Sequence, residues 1–298
     1  GFQSSESSLR GIGRYSIALT RTLISTYPEN EYILFANASL KDIRDDFQNE
    51  LTDNDLKVSY FQWFSITPYN TNLIRKYAVQ LRNYALSIIN ADCILITSFF
   101  EGFIDNALTD IDTSYKLPPT FSIIYDLIPF INSDSYLDSN PLFKEFYYKK
   151  LYELENLDCL LAISKSSFDE AVKFLNFDSD CIVNISSGCD KSLFNPKKNS
   201  SDVDKSIIKF GKFFLYSGAG DPRKNIEGLI KAYSNLSIKV KREYKLILVG
   251  KLFESEIDLI KKCISQVQVD KNQIIILGYV QDEYLVELYR NCQLFIFP

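Results

Sequence analysis

Short apolar runs rich in β-branched and aromatic residues recur along the chain. Between most of them lie longer stretches whose apolar positions fall three and four residues apart. The runs predict strands at Tyr32–Ala36, Val58–Phe61, Cys93–Ile96, Thr120–Tyr125, Cys159–Ile163 and Cys181–Ile185. A second series follows at Phe213–Ser217, Tyr244–Val249, Gln273–Leu277 and Leu294–Phe297. The helical stretches are Gly13–Ser25, Thr71–Asn90, Pro141–Asn156 and Ser164–Leu175, then Asn225–Leu236, Ser255–Val269 and Asp282–Asn291. Strand and helix in alternation imply parallel sheets covered on both faces, an α/β chain. The rhythm breaks across Ser186–Gly211, which is rich in serine and lysine and carries Gly188 and Pro196. Two domains are expected, residues 1–196 and 204–298, which suits a length of 298 residues.

Charge adds an asymmetry. Residues 1–186 hold 15 basic and 25 acidic side chains, and residues 187–298 hold 18 and 13, so the halves carry −10 and +5. An acidic first half argues against nucleic acid as a partner. A basic second half suits a small anionic ligand, although an uneven surface would look the same. The six cysteines show neither CxxC nor metal-finger spacing. Cys93, Cys159, Cys181 and Cys292 lie in or beside apolar runs, as small buried hydrophobes in a reducing compartment do. The chain has no histidine. That removes the usual general base, the Ser–His and Cys–His nucleophile pairs and the commonest zinc ligand. Chemistry here must use carboxylates, Lys, Arg, Tyr or backbone amides.

The strongest motif is YSGAGDPRKNIEGLIKAYSNL, Tyr216–Leu236. A strand feeds a turn at Gly218 and Gly220, then Arg223 and Lys224, then a helix from about Asn225. Glycines allow close approach of the backbone, and helix N-terminal amides favour anions. Arg offers a planar fork for phosphate and Lys a compact charge, a pair able to neutralise a diphosphate leaving group. An ordinary strand–turn–helix connection with solvated cations is the plainer alternative.

This G-x-x-D-x-R-K-N run with its following helix resembles the donor-site signature of glycosyltransferase family 4, the large retaining group. Other segments resemble that family in the same order: SLRGIGRYSIALTRTLI, IIYDLIPF, LAISKSSFDEAVKFL, ISSGCDKSLFNP, LILVGK and ILGYVQDEYLVELYRNCQLFIFP. The first is closest to mannosyl- and rhamnosyltransferases of surface polysaccharides. The resemblance implies a GT-B fold: two Rossmann-like, doubly wound domains facing a cleft. The nucleoside-diphosphate sugar, with GDP-mannose favoured, would bind the second domain, and a glycan or lipid-linked acceptor the first. It implies no cofactor and no metal. It also implies a cytoplasmic enzyme, with peripheral association at the inner membrane face as an open option.

The resemblance also assigns residues. Arg223 and Lys224 would hold the diphosphate and act catalytically, with Gly218, Gly220 and Asn225 beside them. Gly11 and Gly13 would face the same phosphates from the first domain. Arg10, Glu101, Tyr125 and Lys165 are acceptor-side candidates, whereas Arg14 reads as packing or surface. Tyr125 stands where the family usually has His; it can donate a hydrogen bond but cannot titrate near neutrality. Asp126 is a catalytic candidate, by contact with an acceptor hydroxyl, or else a cap for the following turn. Phe99 and Phe100 would stack on sugar or plug a loop, and Ser164 would cap a helix. Both ends read as truncated. The family's two glutamates after the strand ending at Phe297 and Pro298 are absent, so this chain alone is expected to bind donor weakly and not turn it over. Two rival readings are a GT-B enzyme of another type, such as a nucleotide-sugar epimerase, and a degenerate binding subunit.

Overall fold

A computed structural model describes residues 1–4, 7, 11–64, 72–112, 115–189, 191, 193–195, 205–270 and 272–298. The chain forms two compact units, Gly1–Gly188 and Cys189–Pro298. Residues 196–204, where composition set the boundary, lie outside the described residues; the division comes earlier, at Gly188.

The first unit runs α1 (Gly11–Thr26), β1 (Glu31–Asn37), α2 (Gln48–Thr52), β2 (Lys57–Trp63), α3 (Asn72–Ile88), β3 (Ile94–Ile96) and β4 (Thr120–Ile124). It continues through α4 (Ile128–Ile131), α5 (Ser133–Tyr136), α6 (Pro141–Leu154), β5 (Cys159–Ala162), α7 (Lys165–Phe174) and β6 (Ile182–Asn184). Strands β3, β4, β5 and β6 pair in that order, all parallel, and β1 and β2 form a separate parallel pair. The β1–β2 pair shows how alternation builds layers. Leu34 and Ala36 pack with Ile43 and Phe47. Phe35, Phe61 and Trp63 join Ala78, Val79 and Ala85 of α3.

The second unit runs α8 (Lys205–Ile208), β7 (Lys212–Ser217), α9 (Ile226–Ser234), α10 (Ile238–Glu243), β8 (Tyr244–Val249), α11 (Glu254–Gln266), β9 (Ile274–Gly278), α12 (Asp282–Asn291) and β10 (Leu294–Phe295). Its parallel strands lie in the order β10–β7–β8–β9. The apolar run Leu246–Val249 is buried on both faces. Leu246 and Leu248 meet α9 and α11 through Leu229, Ile230 and Ile260. Ile247 and Val249 meet Ile207, Leu285 and Leu288 from α8 and α12. This is a three-layer α/β/α sandwich. The winding β7 to β8 to β9 reverses when β10 returns to the other side of β7, which makes a topological switch point between β7 and β10.

Every long element expected from the pattern is present, with ends shifted by up to three residues. The short helices α2, α4, α5, α8 and α10 were not anticipated, because four to six residues carry too little periodicity to register. Cys93 corrects its reading: it lies exposed just before β3, while Cys263 is buried. Among the described residues no helix is long and apolar enough to cross a membrane.

A buried charge network ties the first unit together. Asp110 is almost fully buried and accepts from Arg75 Nε at 3.0 Å and Lys149 Nζ at 3.0 Å, and Lys150 Nζ stands 3.3 Å from its other oxygen. Lys150, wholly buried, also donates to Thr109 Oγ1 at 3.1 Å and Glu153 Oε2 at 3.3 Å, and it lies 5.1 Å from the centre of the Phe99 ring. Arg82, buried on α3, donates to the carbonyls of Leu108 at 2.7 Å and Asp110 at 2.6 Å. These contacts fasten the loop after β3 to α3 and α6. Removing one partner would leave buried cations uncompensated. Asp110→Ala is therefore expected to cost about 3 kcal/mol or more in urea unfolding at pH 7, and a loss under about 1 kcal/mol would contradict the network. Burial raises the Asp110 carboxyl, but Lys150 and Arg75 outweigh it and hold it well below the usual carboxylate range. Its stabilisation is thus complete above the range in which an unfolded Asp titrates, near pH 4, and is lost as pH falls toward the folded value. The stability gap between parent and variant should be flat at neutral pH and shrink below about pH 4.

Candidate functional site

The loop that follows β7 sits at the switch point of the second unit, where open α/β sheets bind ligands beyond the carboxyl ends of their strands. Three adjacent strands reach a glycine there: β7 is followed by Gly218, β8 by Gly250, and β9 ends on Gly278. The backbones crowd. Gly218 N–H donates to the Val249 carbonyl at 2.9 Å, and Gly250 N–H to the Gly278 carbonyl at 2.9 Å. A Cβ on Gly250, at φ +150°, would lie 1.8 Å from the Gly218 carbonyl oxygen, and one on Gly218 would lie 2.7 Å from the Tyr216 hydroxyl. A Cβ on Gly220 would meet the Glu256 carboxyl carbon at 2.5 Å. These glycines therefore have reasons within the fold besides ligand access.

Pro222–Lys224 forms a single 3₁₀ turn capped by Asp221, whose carboxylate accepts from Arg223 N–H at 2.9 Å. The same carboxylate takes one edge of the Arg223 guanidinium, with Nε 3.1 Å from Oδ1 and Nη2 2.9 Å from Oδ2. Hydrogen bonding from Arg223 lowers the Asp221 pKa, so the pair stays ionised at neutral pH. An acidic group thus already occupies the bidentate geometry that a phosphate would use. Lys224 reaches across the switch point: its Nζ lies 4.6 Å from the centre of the Phe297 ring, two residues past β10. Phe297 in turn lies parallel to Tyr216, with ring centres 6.5 Å apart.

Asn225 does something narrower than expected. Its φ of 47° and ψ of 39° are left-handed, a conformation Asn tolerates, and its side chain caps α9 by accepting from Gly228 N–H at 3.2 Å. Any side chain on Gly228 would collide with that cap, since a Cβ would sit 2.4 Å from Asn225 Oδ1. The side-chain oxygen of this donor-side candidate is thus engaged by the helix.

In the first unit, the ends of β3, β4 and β5 collect the remaining candidates. The Tyr125 hydroxyl donates to the Thr97 carbonyl at 3.0 Å and lies 3.2 Å from Ser16 Oγ, knitting β4 to α1 and to the end of β3. Burial pushes its pKa to about 12, partly offset by the Ser16 hydrogen bond, so the phenol holds its proton. Asp126 Oδ1 accepts from Ile128 N–H at 3.1 Å, the turn-capping alternative. Glu101 is buried and accepts from Ser98 Oγ at 2.6 Å, inside the loop. Lys165 is exposed at the start of α7 and pairs with Asp169 at 3.0 Å, a pair worth little in water. Ser164 caps that helix, with Oγ accepting from Ser167 N–H at 3.0 Å. Phe99 is buried and Phe100 stacks on Tyr147 at 4.6 Å, so both serve as a loop plug. Gly11 opens α1 in open space, whereas Gly13 is buried and donates its N–H to the Ser7 carbonyl at 2.9 Å. Arg10 lies outside the described residues. Sequence reasoning missed Asp221 and Phe297 as the neighbours of the two cations. Asp221 stood inside the quoted motif, two residues before Arg223, and that spacing was the available signal.

Residues 198–298 match the family described as glycosyl transferases group 1. The chain is thus similar to group 1 glycosyl transferases over that stretch, about a third of its length. Its two Rossmann-like units are those of the GT-B fold, and solved structures agree at the level of fold. The Anabaena protein Alr3699/HepE, solved with UDP and glucose, superposes with a TM-score of 0.60 at 14% identity, over 94% of this chain and 69% of that one. A glycosyltransferase from Rickettsia africae gives 0.60 at 15%, over 98% and 69%. Among curated proteins, a serotype-specific mannosyltransferase WbdA of Escherichia coli is 32% identical over all of this chain and 36% of its own length. The chain spans about a third of the length of the WbdA relatives it matches. An O-antigen chain mannosyltransferase B of Escherichia coli is 26% identical over 97% of this chain and 73% of that protein.

If Asn225 serves as a cap, its substitutions should sort by backbone and not by ligand. Asn225→Ala is expected to lose about 2 kcal/mol, from the cap and the left-handed conformation together. Asn225→Gly should lose only a few tenths. Thermal unfolding distinguishes the two, and equal losses would contradict the capping role.

Proposed function

We propose that this protein transfers a hexose from a nucleoside-diphosphate sugar to a growing surface glycan, with retention of anomeric configuration. The donor in this reading is GDP-mannose and the acceptor is lipid-linked, so the protein works at the inner face of the membrane. The observation that carries the reading is the position of Arg223 and Lys224. Both stand on one tight turn at the switch point of the second unit, ahead of the N-terminus of α9. The family match over the same unit and the names of the mannosyltransferase relatives support it.

As the bond from the anomeric carbon to the phosphate oxygen lengthens, negative charge collects on the departing diphosphate. A guanidinium and an ammonium on a rigid turn stabilise that charge without reorganising. Asp221 braces Arg223 in the free protein, and phosphate oxygens would share or take over that edge of the fork. Lys224, resting on the Phe297 ring, would move a short way to a stronger electrostatic partner. Neutralisation by two side chains does what a divalent ion does elsewhere, so we propose that no metal takes part. Retention then follows a front-face course, with the departing phosphate helping to deprotonate the acceptor hydroxyl.

A titration panel of UDP-, GDP- and dTDP-sugars tests the reading. GDP-mannose should bind most tightly, and Arg223→Ala or Lys224→Ala should each weaken it about tenfold or more. Chelation of divalent ions should leave donor binding intact. Unchanged affinity in both variants would sink the phosphate assignment. Loss of binding on chelation would sink the metal-free reading alone.

A further inference from the structure

Helix α3 has apolar side chains on two faces, with Ala78, Val79 and Ala85 turned into the core. Beside them Arg82 and Asn83 are also buried and hold the segment after β3: Arg82 through the Leu108 and Asp110 carbonyls, Asn83 Nδ2 through the Asp112 carbonyl at 3.3 Å. The outward face of α3 carries Ile74, Tyr77, Leu81, Tyr84 and Ile88, each between 37% and 57% exposed. The spacing is three, four, three, four. A stripe that strict is the narrow seam of one helix packing on another, not the broad apolar face of a helix lying on lipid.

We infer that this face docks on the same face of a second copy of the chain, the two α3 helices running antiparallel about a two-fold axis near Leu81. The order of side chains is the first argument. Isoleucine, tyrosine, leucine, tyrosine and isoleucine read the same in both directions. Reversal about Leu81 sets Leu81 on Leu81 and Ile74 on Ile88, and brings each Tyr77 to within one residue of the partner's Tyr84, as an isologous interface requires.

Charge is the second argument. Residues 71–90 contain no acidic side chain, within a unit where acids outnumber bases. Lys76, exposed near the start of α3, would lie beside the last turn of the partner helix, whose carbonyl end favours a cation. A lone exposed lysine is too little to draw an acidic unit onto an anionic bilayer. Area is the third argument. At roughly 200 Å² for a large side chain, the exposed fractions sum to about 500 Å² per copy. A pair would bury about 1,000 Å², the threshold for a specific interface.

The test is the mass of the chain in solution by light scattering and sedimentation, with three variants. The parent should be a dimer at micromolar concentration. Leu81→Arg should raise the dimer dissociation constant by about 100-fold while leaving circular dichroism and thermal unfolding unchanged. With Cys93 and Cys189 replaced by serine, Leu81→Cys should cross-link to a covalent dimer under mild oxidation, because the two-fold axis sets the thiols face to face. Thr22→Cys, on α1, should not. A parent that stays monomeric to about 100 µM would overturn the inference. So would a dimer indifferent to Leu81→Arg, or cross-linking no faster at position 81 than at position 22. A monomer that binds anionic vesicles through these side chains would overturn it in favour of a lipid surface.

Discussion

The second unit depends on a close approach between backbones. Where β7 and β8 end, Gly218 and Gly250 pass so near each other that a Cβ on Gly250 would stand 1.8 Å from the Gly218 carbonyl oxygen. No relaxation of a side chain relieves a clash with backbone, so the pairing of these strands and the course of the loop after β7 are fixed together. The loop is then directed over the switch point. Asp221 turns it, Asn225 starts α9, and Arg223 and Lys224 come to stand where a doubly wound sheet leaves room for a ligand. The placing of the two cations follows from that crowding.

The first unit is held differently. Its long loop after β3 is fastened by charge: Asp110 among Arg75, Lys149 and Lys150, with Arg82 on the neighbouring carbonyls. Such a network specifies a position more than it adds net stability, since burying the ions costs about as much as their attraction returns. It also explains why α3 turns polar side chains inward. Once Arg82 and Asn83 are committed to the loop, the helix has an apolar face left over for the outside.

Much of this was legible in the chain, and the reason is physical. Parallel strands buried on both faces leave continuous apolar runs, so Tyr244–Val249 announced itself with the right ends. The turn at Gly218–Asn225 was legible because glycine, proline and paired cations between a strand and a helix admit few readings. What stayed hidden depended on distant partners. Nothing in the pattern of α6 singles out Lys150, yet it is fully buried, and Asp110 reaches it from forty residues away. Tyr125 read as a sugar contact, but Ser16 and the Thr97 carbonyl claim its hydroxyl. Asn225 read as part of the grip, and its side chain also caps α9, as the local rule for helix starts describes.

The central claim is that the strand-end turn of the second unit receives a diphosphate. Amide hydrogen exchange read by mass spectrometry, with and without saturating GDP or UDP, tests it most directly. Exchange should slow in peptides covering Tyr216–Leu229 and the neighbouring Val249–Leu252. Saturation that leaves those peptides unchanged while protecting others would contradict it.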